Sequence, residues 1–290
     1  MTRIIDTHNH PDWHGHDLKA MLANMDAHGI AKTWLLTWEA PADECDPSYT
    51  ASTPGGSEAG PLPFTSALAY AQHAPDRFVL GYAPDPRRPS ALDRLRGAVE
   101  IHGVRVYGEL KLRMMYDNPD AIEIYRFCGE HGLPVVVHLD YAYNRSSRYP
   151  RPNYWYGGGI ATFERAVAAC PETVFLGHGP GFWAHISDDS RYLKEPYPQG
   201  PVVPDGALVR MLESYPNLCC DLSAGSALNA LSRDHEYSRA LLTRFADRFT
   251  FARDCFDGRM AAHIESLGLP DHVREAVFHG NAERLVPDAR

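Results

Sequence analysis

The stretch NPDAIEIYRFCGEHGLPVVVHLD, from Asn118 to Asp140, carries the pattern that decides the fold. Its first part predicts a helix that begins at Asn118–Pro119, where proline suits the first helical position, and ends at Gly132–Pro134. Its second part, PVVVHLD, is a short apolar run of the kind found in strands that are buried on both faces. A helix followed directly by such a strand indicates one unit of a parallel α/β sheet.

The same alternation of strand and helix extends over the rest of the chain. Seven further runs are predicted strands: RIIDTH, KTWLLTW, RFVLGYA, HGVRVYGELKL, TVFLGH, NLCCDLS and RFTFARD. Helical segments separate them, for example DLKAMLANMDAHGI, with Asp17 as its N-cap and Gly29 as its end. Eight parallel strands in 290 residues predict one (β/α)8 TIM-like barrel domain over residues 1–290. An open, doubly wound sheet is the alternative architecture.

Composition excludes several classes of protein. Apolar residues make up 44% and charged residues 22%, as in soluble globular proteins. The net charge of −9 argues against nucleic acid or an anionic membrane as the main partner. The sequence contains no apolar run of about 20 residues and no signal-peptide pattern at its N-terminus. We expect a cytoplasmic protein that acts on a small molecule, and a homo-oligomer is compatible with the sequence.

Two His-x-His pairs follow the first predicted strand: His8 with His10, and His14 with His16. Alternate residues of a strand point to the same face, so both rings of the first pair can reach one metal ion at the strand exit. The second pair lies beyond Pro11, just before a helix, where nothing makes its rings converge. We therefore predict that the first pair binds metal and that the second does not.

Three other predicted strands end in residue types that bind metals. They are the fifth, sixth and eighth strands, which end in His138, His178 and Asp254. In a barrel, the carboxyl ends of all strands lie on one face. Imidazole and carboxylate groups together suit zinc, manganese or iron. The sequence thus predicts a site for one or two divalent ions, with Zn²⁺ as the first expectation and Mn²⁺ or Fe²⁺ as alternatives.

In these motifs the chain resembles the amidohydrolase superfamily, in particular the amidohydrolase family 2 branch. That branch includes lactonases, 2-pyrone-4,6-dicarboxylate hydrolase and the aminocarboxymuconate semialdehyde decarboxylase group. The resemblance extends from DTHNH at the start to HGNAERL near the end. It implies a distorted (β/α)8 barrel with His8, His10 and His138 as metal ligands. It also implies that His178 is a further metal ligand or a catalytic group beside the metal, and that Asp254 is both a metal ligand and the general base.

The fourth predicted strand places Glu109 and Lys111 two residues apart, on one face. In some members of the resembled family a glutamate here bridges two metals, whereas others have a lysine. We predict Glu109 as a metal ligand and Lys111 as a cation that faces the substrate. An ion pair between the two side chains is the alternative.

Three long connections follow strands, which places them on the same face of the barrel: Glu39–Pro63, Asp140–Gly159 and Gly179–Pro204. The middle one is rich in aromatic residues and arginine, and we predict that it forms a wall or lid of the pocket; a packed surface loop or a subunit contact is the alternative. The further substrate-binding candidates are Tyr141, Arg145, Trp183 and Arg253. Trp183 and Arg253 lie where the chain departs from the family motifs. Trp183 follows His178-Gly179-Pro180-Gly181, which stands in place of His-Gly-Gly, and Arg253 lies in Ala252-Arg253-Asp254, which stands in place of Gly-Ser/Thr-Asp.

Together these features predict a metal-dependent hydrolase that cleaves a C–O or C–N bond in a small polar molecule, with a lactone or an amide as first expectations. Asp254 would take the proton of the activated water, and His178 would stabilise developing charge or orient the water. The alternative is a metal-dependent, non-oxidative decarboxylase. Many such decarboxylases open with Glu-x-His, so the His-x-His of DTHNH favours hydrolysis. A sugar isomerase and a catalytically inactive ligand-binding barrel are less favoured alternatives.

Overall fold

The computed structural model describes residues 3–41, 44, 62–143 and 155–288, and they form alternating strands and helices. The strands are β1 Ile4–Asn9, β2 Ile30–Leu35, β3 Phe78–Leu80, β4 Tyr107–Leu110, β5 Val135–His138, β6 Phe175–His178, β7 Leu218–Asp221 and β8 Phe249–Thr250. The α-helices are α1 Leu18–Ala27, α2 Phe64–His73, α3 Ala91–His102, α4 Pro119–Glu130, α5 Ile160–Ala169, α6 Pro180–Trp183, α7 Ala207–Ser214, α8 Ala224–Ser232, α9 His235–Arg244, α10 Arg259–Ser266, α11 Asp271–Glu275 and α12 Asn281–Leu285.

All strand pairs are parallel, in the orders β1-β2-β3 and β4-β5-β6-β7-β8. Backbone hydrogen bonds join the two sheets at both seams. Between β3 and β4, Gly81 pairs with Val106 in a parallel bridge, and the amide of Tyr82 donates to the Val106 carbonyl at 3.0 Å. Between β8 and β1, the amide of Thr7 donates to the Phe251 carbonyl at 3.0 Å. The strands therefore close into the predicted (β/α)8 barrel, and the doubly wound alternative does not apply.

Apolar side chains from seven positions in the strands or directly beside them meet inside the barrel and form what we call the interior cluster. It consists of Ile5, Trp34, Leu36, Val106, Val136, Leu176 and Cys219, together with Ala282, Leu285 and Val286 from the C-terminal segment. Alternate residues of a strand point to the same side. Two residues beyond Val136, Leu176 and Cys219, the strands therefore place His138, His178 and Asp221 on the inward side at the carboxyl end of the barrel. The alternation that fills the core thus also positions the polar groups above it.

The C-terminal segment covers the opposite end of the barrel. A π-helical turn, Ala276–Gly280, leads into α12, whose apolar residues join the interior cluster. The Asn281 side chain donates to the carbonyls of Ala246 and Phe249, at 2.8 Å each, and so ties α12 to β8. The HGNAERL motif therefore has a structural role, because it covers this end of the barrel.

The strand β8 is shorter than the sequence predicted. The predicted strand runs to Asp254, but regular pairing ends at Thr250. Beyond it, the amide of Phe251 bonds to the Val277 carbonyl, and Asp254 has a left-handed backbone with φ of 51°. The connection Gly179–Pro204 carries short helical pieces, including α6, whereas parts of Glu39–Pro63 and Asp140–Gly159 lie outside the described residues.

Within the ranges given above, no helix combines the length and apolar character needed to cross a bilayer.

Candidate metal centre

Six side chains with metal-binding atoms converge at the carboxyl ends of β1, β4, β5, β6 and β8: His8, His10, Glu109, His138, His178 and Asp254. They fall into groups of three whose ligand atoms all lie within 4.8 Å of one another. The side chain of Asp254 is 16% exposed, and the other five are buried. The structure thus brings together all six residues that the sequence predicted as metal ligands or catalytic groups.

Glu109 lies at the middle of this cluster. Its Oε2 atom is 3.8 Å from Nε2 of His8 and 3.6 Å from Nε2 of His10. Its Oε1 atom is 2.7 Å from Nδ1 of His138 and 3.5 Å from Nε2 of His178. Each carboxylate oxygen therefore faces its own pair of imidazoles.

Asp254 adds a second carboxylate on the open side of the cluster. Its Oδ1 atom is 3.3 Å from Nε2 of His10, and its Oδ2 atom is 3.8 Å from Nε2 of His178. Its backbone amide donates to the His8 carbonyl at 2.9 Å, which supports the left-handed backbone, a conformation that aspartate tolerates better than most residues. Burial opposes ionisation, but the charges of the nearby histidines, with His10 Nε2 only 3.3 Å away, hold the pKa of Asp254 below its usual range. The carboxylate is thus ionised at neutral pH.

Three of the histidines are oriented by partners outside the cluster. The Nδ1 atom of His8 donates to Asp221 Oδ2 (2.5 Å), Nδ1 of His10 donates to the Leu36 carbonyl (2.8 Å), and Nδ1 of His178 shares a hydrogen bond with Ser223 Oγ (2.7 Å). These contacts turn the Nε2 atoms toward the centre of the cluster, as outer partners do in known metal sites. Sequence reasoning did not select Asp221 or Ser223. The available signal was the aspartate near the end of NLCCDLS, where the other predicted strands carry metal-binding residue types.

The donor set fits divalent metal ions. Four imidazoles and two carboxylates match the ligand preferences of zinc, manganese and iron. Burial raises the pKa of Glu109 to about 8, and the negative charges of Asp254 and Asp221 add to this effect against the opposing charge of His8. A bound cation would relieve the cost of an ionised carboxylate at this buried position.

Comparison with known families agrees with this geometry. The family model described as amidohydrolase matches residues 5–287. The chain belongs to the amidohydrolase family. Its members are metal-dependent enzymes, and this amidohydrolase has a donor set that suits such a metal. No curated protein sequence matches the chain significantly.

Solved structures show the same barrel at low sequence identity. An uncharacterised TIM-barrel protein from Bordetella bronchiseptica is 15% identical, with 98% of each chain covered and a TM-score of 0.66. Dihydroxybenzoic acid decarboxylase from Polaromonas sp. JS666, with bound manganese and the inhibitor 2-nitroresorcinol, is 16% identical, covering 98% of this chain and 97% of that one, with a TM-score of 0.60. A candidate 2-pyrone-4,6-dicarboxylic acid hydrolase from Pseudomonas putida is 16% identical, with the same coverage and a TM-score of 0.58. These likenesses establish the fold and leave the reaction open.

Lys111 of this amidohydrolase lies next to the cluster. Its Nζ atom is 5.9 Å from the ring centroid of Trp38 and 5.4 Å from that of Tyr156, and the residue is only 6% exposed. Burial lowers the pKa of His178 to about 3, and the positive charges of His8 and Lys111 add to this shift. Lys111 is therefore within electrostatic reach of the metal-binding groups.

The other substrate-binding candidates have contacts away from the cluster. The hydroxyl of Tyr141 lies 2.7 Å from Nε2 of His185 and accepts from the Ile160 amide at 3.0 Å. The indole N–H of the buried Trp183 donates to the Asp221 carbonyl at 3.0 Å. These contacts hold both residues in the protein, and their roles in substrate binding stay predictions.

Arg253 is bound within the barrel wall. Its Nε atom donates to Asp6 Oδ2 at 2.8 Å, and its Nη1 atom donates to Asn24 Oδ1 at 2.7 Å. Its side chain is 2% exposed. These contacts favour a packing role for Arg253 over the predicted contact with substrate. Arg145 lies outside the described residues.

The second His-x-His pair lies apart from the centre. The ring of His16 stacks on Phe256, with 3.7 Å between the ring centroids, and its Nδ1 atom donates to the His14 carbonyl at 3.1 Å. His14 has a left-handed backbone, with φ of 47°. Neither residue belongs to a metal-binding group found among the described residues.

Proposed function

We propose that this amidohydrolase is a hydrolase with two divalent ions, bridged by Glu109. One observation carries the proposal: the two oxygens of Glu109 face separate histidine pairs. His8 and His10 would hold one ion, together with Asp254. His138 and His178 would hold the other. In this proposal His178 is a ligand of the second ion, which is one of the two roles that the family resemblance allows.

The chemistry divides between the ions and the protein. Bound ions would polarise a substrate oxygen and lower the pKa of water, the usual contribution of two-metal hydrolytic sites. Asp254, ionised and on the open side of the cluster, would accept the proton of the attacking water and return it to the leaving group. Asp221 and Ser223 would keep His8 and His178 in place during the reaction.

Zinc and a small lactone or amide are the metal and the substrate that we propose. Imidazole nitrogens outnumber carboxylates in the donor set, which suits zinc, whereas the manganese of the Polaromonas neighbour makes Mn²⁺ the first alternative. The alternative reaction is decarboxylation, which a single ion could support by chelating a carboxylate and a neighbouring hydroxyl. That neighbour is a dihydroxybenzoic acid decarboxylase.

Metal analysis tests the two-ion proposal. After reconstitution with zinc and removal of free metal, elemental analysis should give two zinc ions per wild-type chain. Glu109→Gln keeps the shape of the side chain but removes the bridging charge, so at most one ion should remain. Glu123→Gln, at an exposed position in α4, is the matched control and should retain two. One ion in the wild type, with no change in Glu109→Gln, would contradict the proposal.

A substrate screen tests the reaction. Zinc-loaded protein should release acid from members of a panel of lactones and amides, and it should release no carbon dioxide from aromatic hydroxy acids. Carbon dioxide release with one ion per chain would assign the chain to the decarboxylases instead.

A further inference from the structure

Tyr116 joins the ends of two strands that carry predicted metal ligands. Its side chain is fully buried. Its hydroxyl oxygen lies 2.7 Å from the Leu110 carbonyl, at the end of β4, and 2.8 Å from the His138 carbonyl, at the end of β5. A tyrosine hydroxyl carries one hydrogen at neutral pH, which it can donate to either carbonyl. The hydroxyl therefore links the backbones of the strands that carry Glu109 and His138.

The backbone pairing of β4 and β5 is irregular where this link is made. Their register shifts between Tyr107 and Leu110, so Glu109 lies inside the irregular stretch. By contrast, β5 and β6 pair in register up to His138 and His178. Backbone pairing thus fixes the two histidines relative to each other, and it holds the glutamate less firmly. A side-chain link at this point contributes what the backbone pairing provides elsewhere.

The relative position of Glu109 and His138 matters because their side chains meet. The Oε1 atom of Glu109 lies 2.7 Å from Nδ1 of His138 and 3.5 Å from Nε2 of His178. In the proposed function, on which this part rests, these three side chains hold the second ion. Metal–ligand distances vary by only about 0.2 Å for a given ion, so small displacements of a ligand weaken binding. A bond that fixes the backbone beside two of the ligands therefore acts on that ion.

The Tyr116 ring is itself placed by Gly157, in the connection between β5 and α5. The Tyr116 amide donates to the Gly157 carbonyl at 3.2 Å, and Met115 and Gly157 form a parallel bridge. Gly157 has a left-handed backbone, with φ of 79°, and a β-carbon at this position would lie 2.6 Å from Cε2 of the Tyr116 ring. A glycine at this position thus lets the ring lie where its hydroxyl reaches both carbonyls.

We propose that Tyr116 is a positioning residue, which holds Glu109 and His138 in the arrangement that binds the second ion. It acts through the backbone of the two strand ends, because its hydroxyl bonds to their carbonyls. The first ion should depend on Tyr116 less, since two of its proposed ligands come from β1 and one from beyond β8.

The metal affinity of Tyr116→Phe tests the proposal, because this substitution removes only the hydroxyl. Competition between the zinc-loaded protein and a chromogenic chelator should show one ion with wild-type affinity, and the other should bind about 10–100-fold more weakly, the usual effect of losing an outer partner of a metal site. Tyr125→Phe is the matched control. Tyr125 is also fully buried, and its hydroxyl has no hydrogen-bond partner within the described residues, so both ions should bind as in the wild type.

The visible spectrum of the cobalt-substituted protein gives a second measurement that a general loss of stability would not change. At saturating cobalt, the bands of Tyr116→Phe should differ from those of the wild type, because the geometry of one ion has changed. The bands of Tyr125→Phe should match those of the wild type.

Gly157→Ala tests the same role without removing the hydroxyl, and it is the comparison to use if Tyr116→Phe does not fold. The new methyl group should displace the Tyr116 ring and weaken the same ion by at least about tenfold. Gly103→Ala is the control, because Gly103 also has a positive φ, of 69°, but has open space around it. This variant should bind both ions as the wild type does.

Folded Tyr116→Phe with both affinities unchanged would overturn the proposal. An equal loss at both ions, or the same loss in Tyr125→Phe, would overturn it as well. A wild-type protein that binds only one ion would refute the two-ion site of the proposed function. The role of Tyr116 would then be decided separately, by whether Tyr116→Phe weakens the binding of that ion while Tyr125→Phe does not.

Discussion

At the residue scale, the histidines of the candidate metal centre are oriented by partners outside the cluster. Asp221 is fully buried and holds Nδ1 of His8 at 2.5 Å, which directs Nε2 of that ring toward Glu109. Burial opposes ionisation of Asp221, but the charges of His8 and His178 outweigh it and lower the pKa of the carboxyl. An ionised partner makes the imidazole a stronger ligand as well as an oriented one.

Asp221→Asn should therefore weaken zinc binding by about 10–100-fold, the usual effect of losing an outer partner of a metal-binding histidine. Competition with a chromogenic chelator measures the change. Asp93→Asn, at an exposed position in α3, controls for the substitution itself. Unchanged zinc affinity in folded Asp221→Asn would show that the His8 contact does not contribute to the site.

Asp254 differs from Asp221 because it is expected to transfer a proton. Asp254→Asn retains the shape of the side chain but loses the proton acceptor, so turnover should fall by roughly 10²–10⁴-fold. Metal content and turnover have to be measured on the same sample, because Asp254 is proposed both as a metal ligand and as the base. The substitution could therefore reduce turnover through loss of metal. Asp257→Asn, three residues along the chain, is the control. Full metal content with near-normal turnover would rule out Asp254 as the base.

The sequence predicted five of the six clustered residues because they occupy strand ends, and strand ends of a parallel barrel share one face. Glu109 was predicted from the family resemblance and from its place on the fourth strand. Asp221 also lies at a strand end, but it was not predicted as a site residue. Its contact with His8 is a tertiary contact that the sequence does not show. Lys111 could be placed beside Glu109 from the two-residue repeat of a strand. Its aromatic neighbours could not be found in this way, because Tyr156 comes from a loop and Trp38 lies beyond the observed end of β2. No repeat predicts which side chains meet there.

At the element scale, the seam between β1 and β8 combines backbone and side-chain bonds. Thr7 bonds to Phe251 through the backbone and to Thr250 through the two hydroxyls, at 2.9 Å. Beside them, the buried pair of Asp6 and Arg253 links the two strand ends. Because the partners are 247 positions apart, no local pattern could predict that Arg253 pairs with Asp6 and not with substrate.

Breaking this pair should destabilise the barrel. Arg253→Met leaves Asp6 buried without its counter-charge, so the free energy of unfolding should fall by about 3–5 kcal/mol in urea denaturation. The control is Arg259→Met. Arg259 pairs with the exposed Asp257, so the free energy of unfolding of this variant should fall by no more than about 1 kcal/mol. Near-normal stability combined with a raised KM would instead assign Arg253 to the substrate.

At the scale of the whole molecule, the proposed metal centre draws on residues of five strands spread around the barrel. His8 and His10 come from the end of β1, Glu109 from β4, His138 and His178 from β5 and β6, and Asp254 from beyond β8. These ligands approach one another only when both sheets are joined. Metal binding should therefore favour the closed barrel as a unit, and not one local segment of it.

The two His-x-His pairs provide the test at this scale. Binding to the folded state alone stabilises a protein by about 2.7 kcal/mol when free metal is 100 times Kd. Zinc should therefore raise the Tm of the wild-type protein above its value in chelator. His10→Ala should lose most of that increase in Tm, because the substitution removes the imidazole that lies beside Glu109 and Asp254. His14→Ala should keep it, since that residue lies outside the cluster. An equal loss in both variants would mean that the stabilising zinc binds elsewhere, and the assignment of the centre to the first pair would fail.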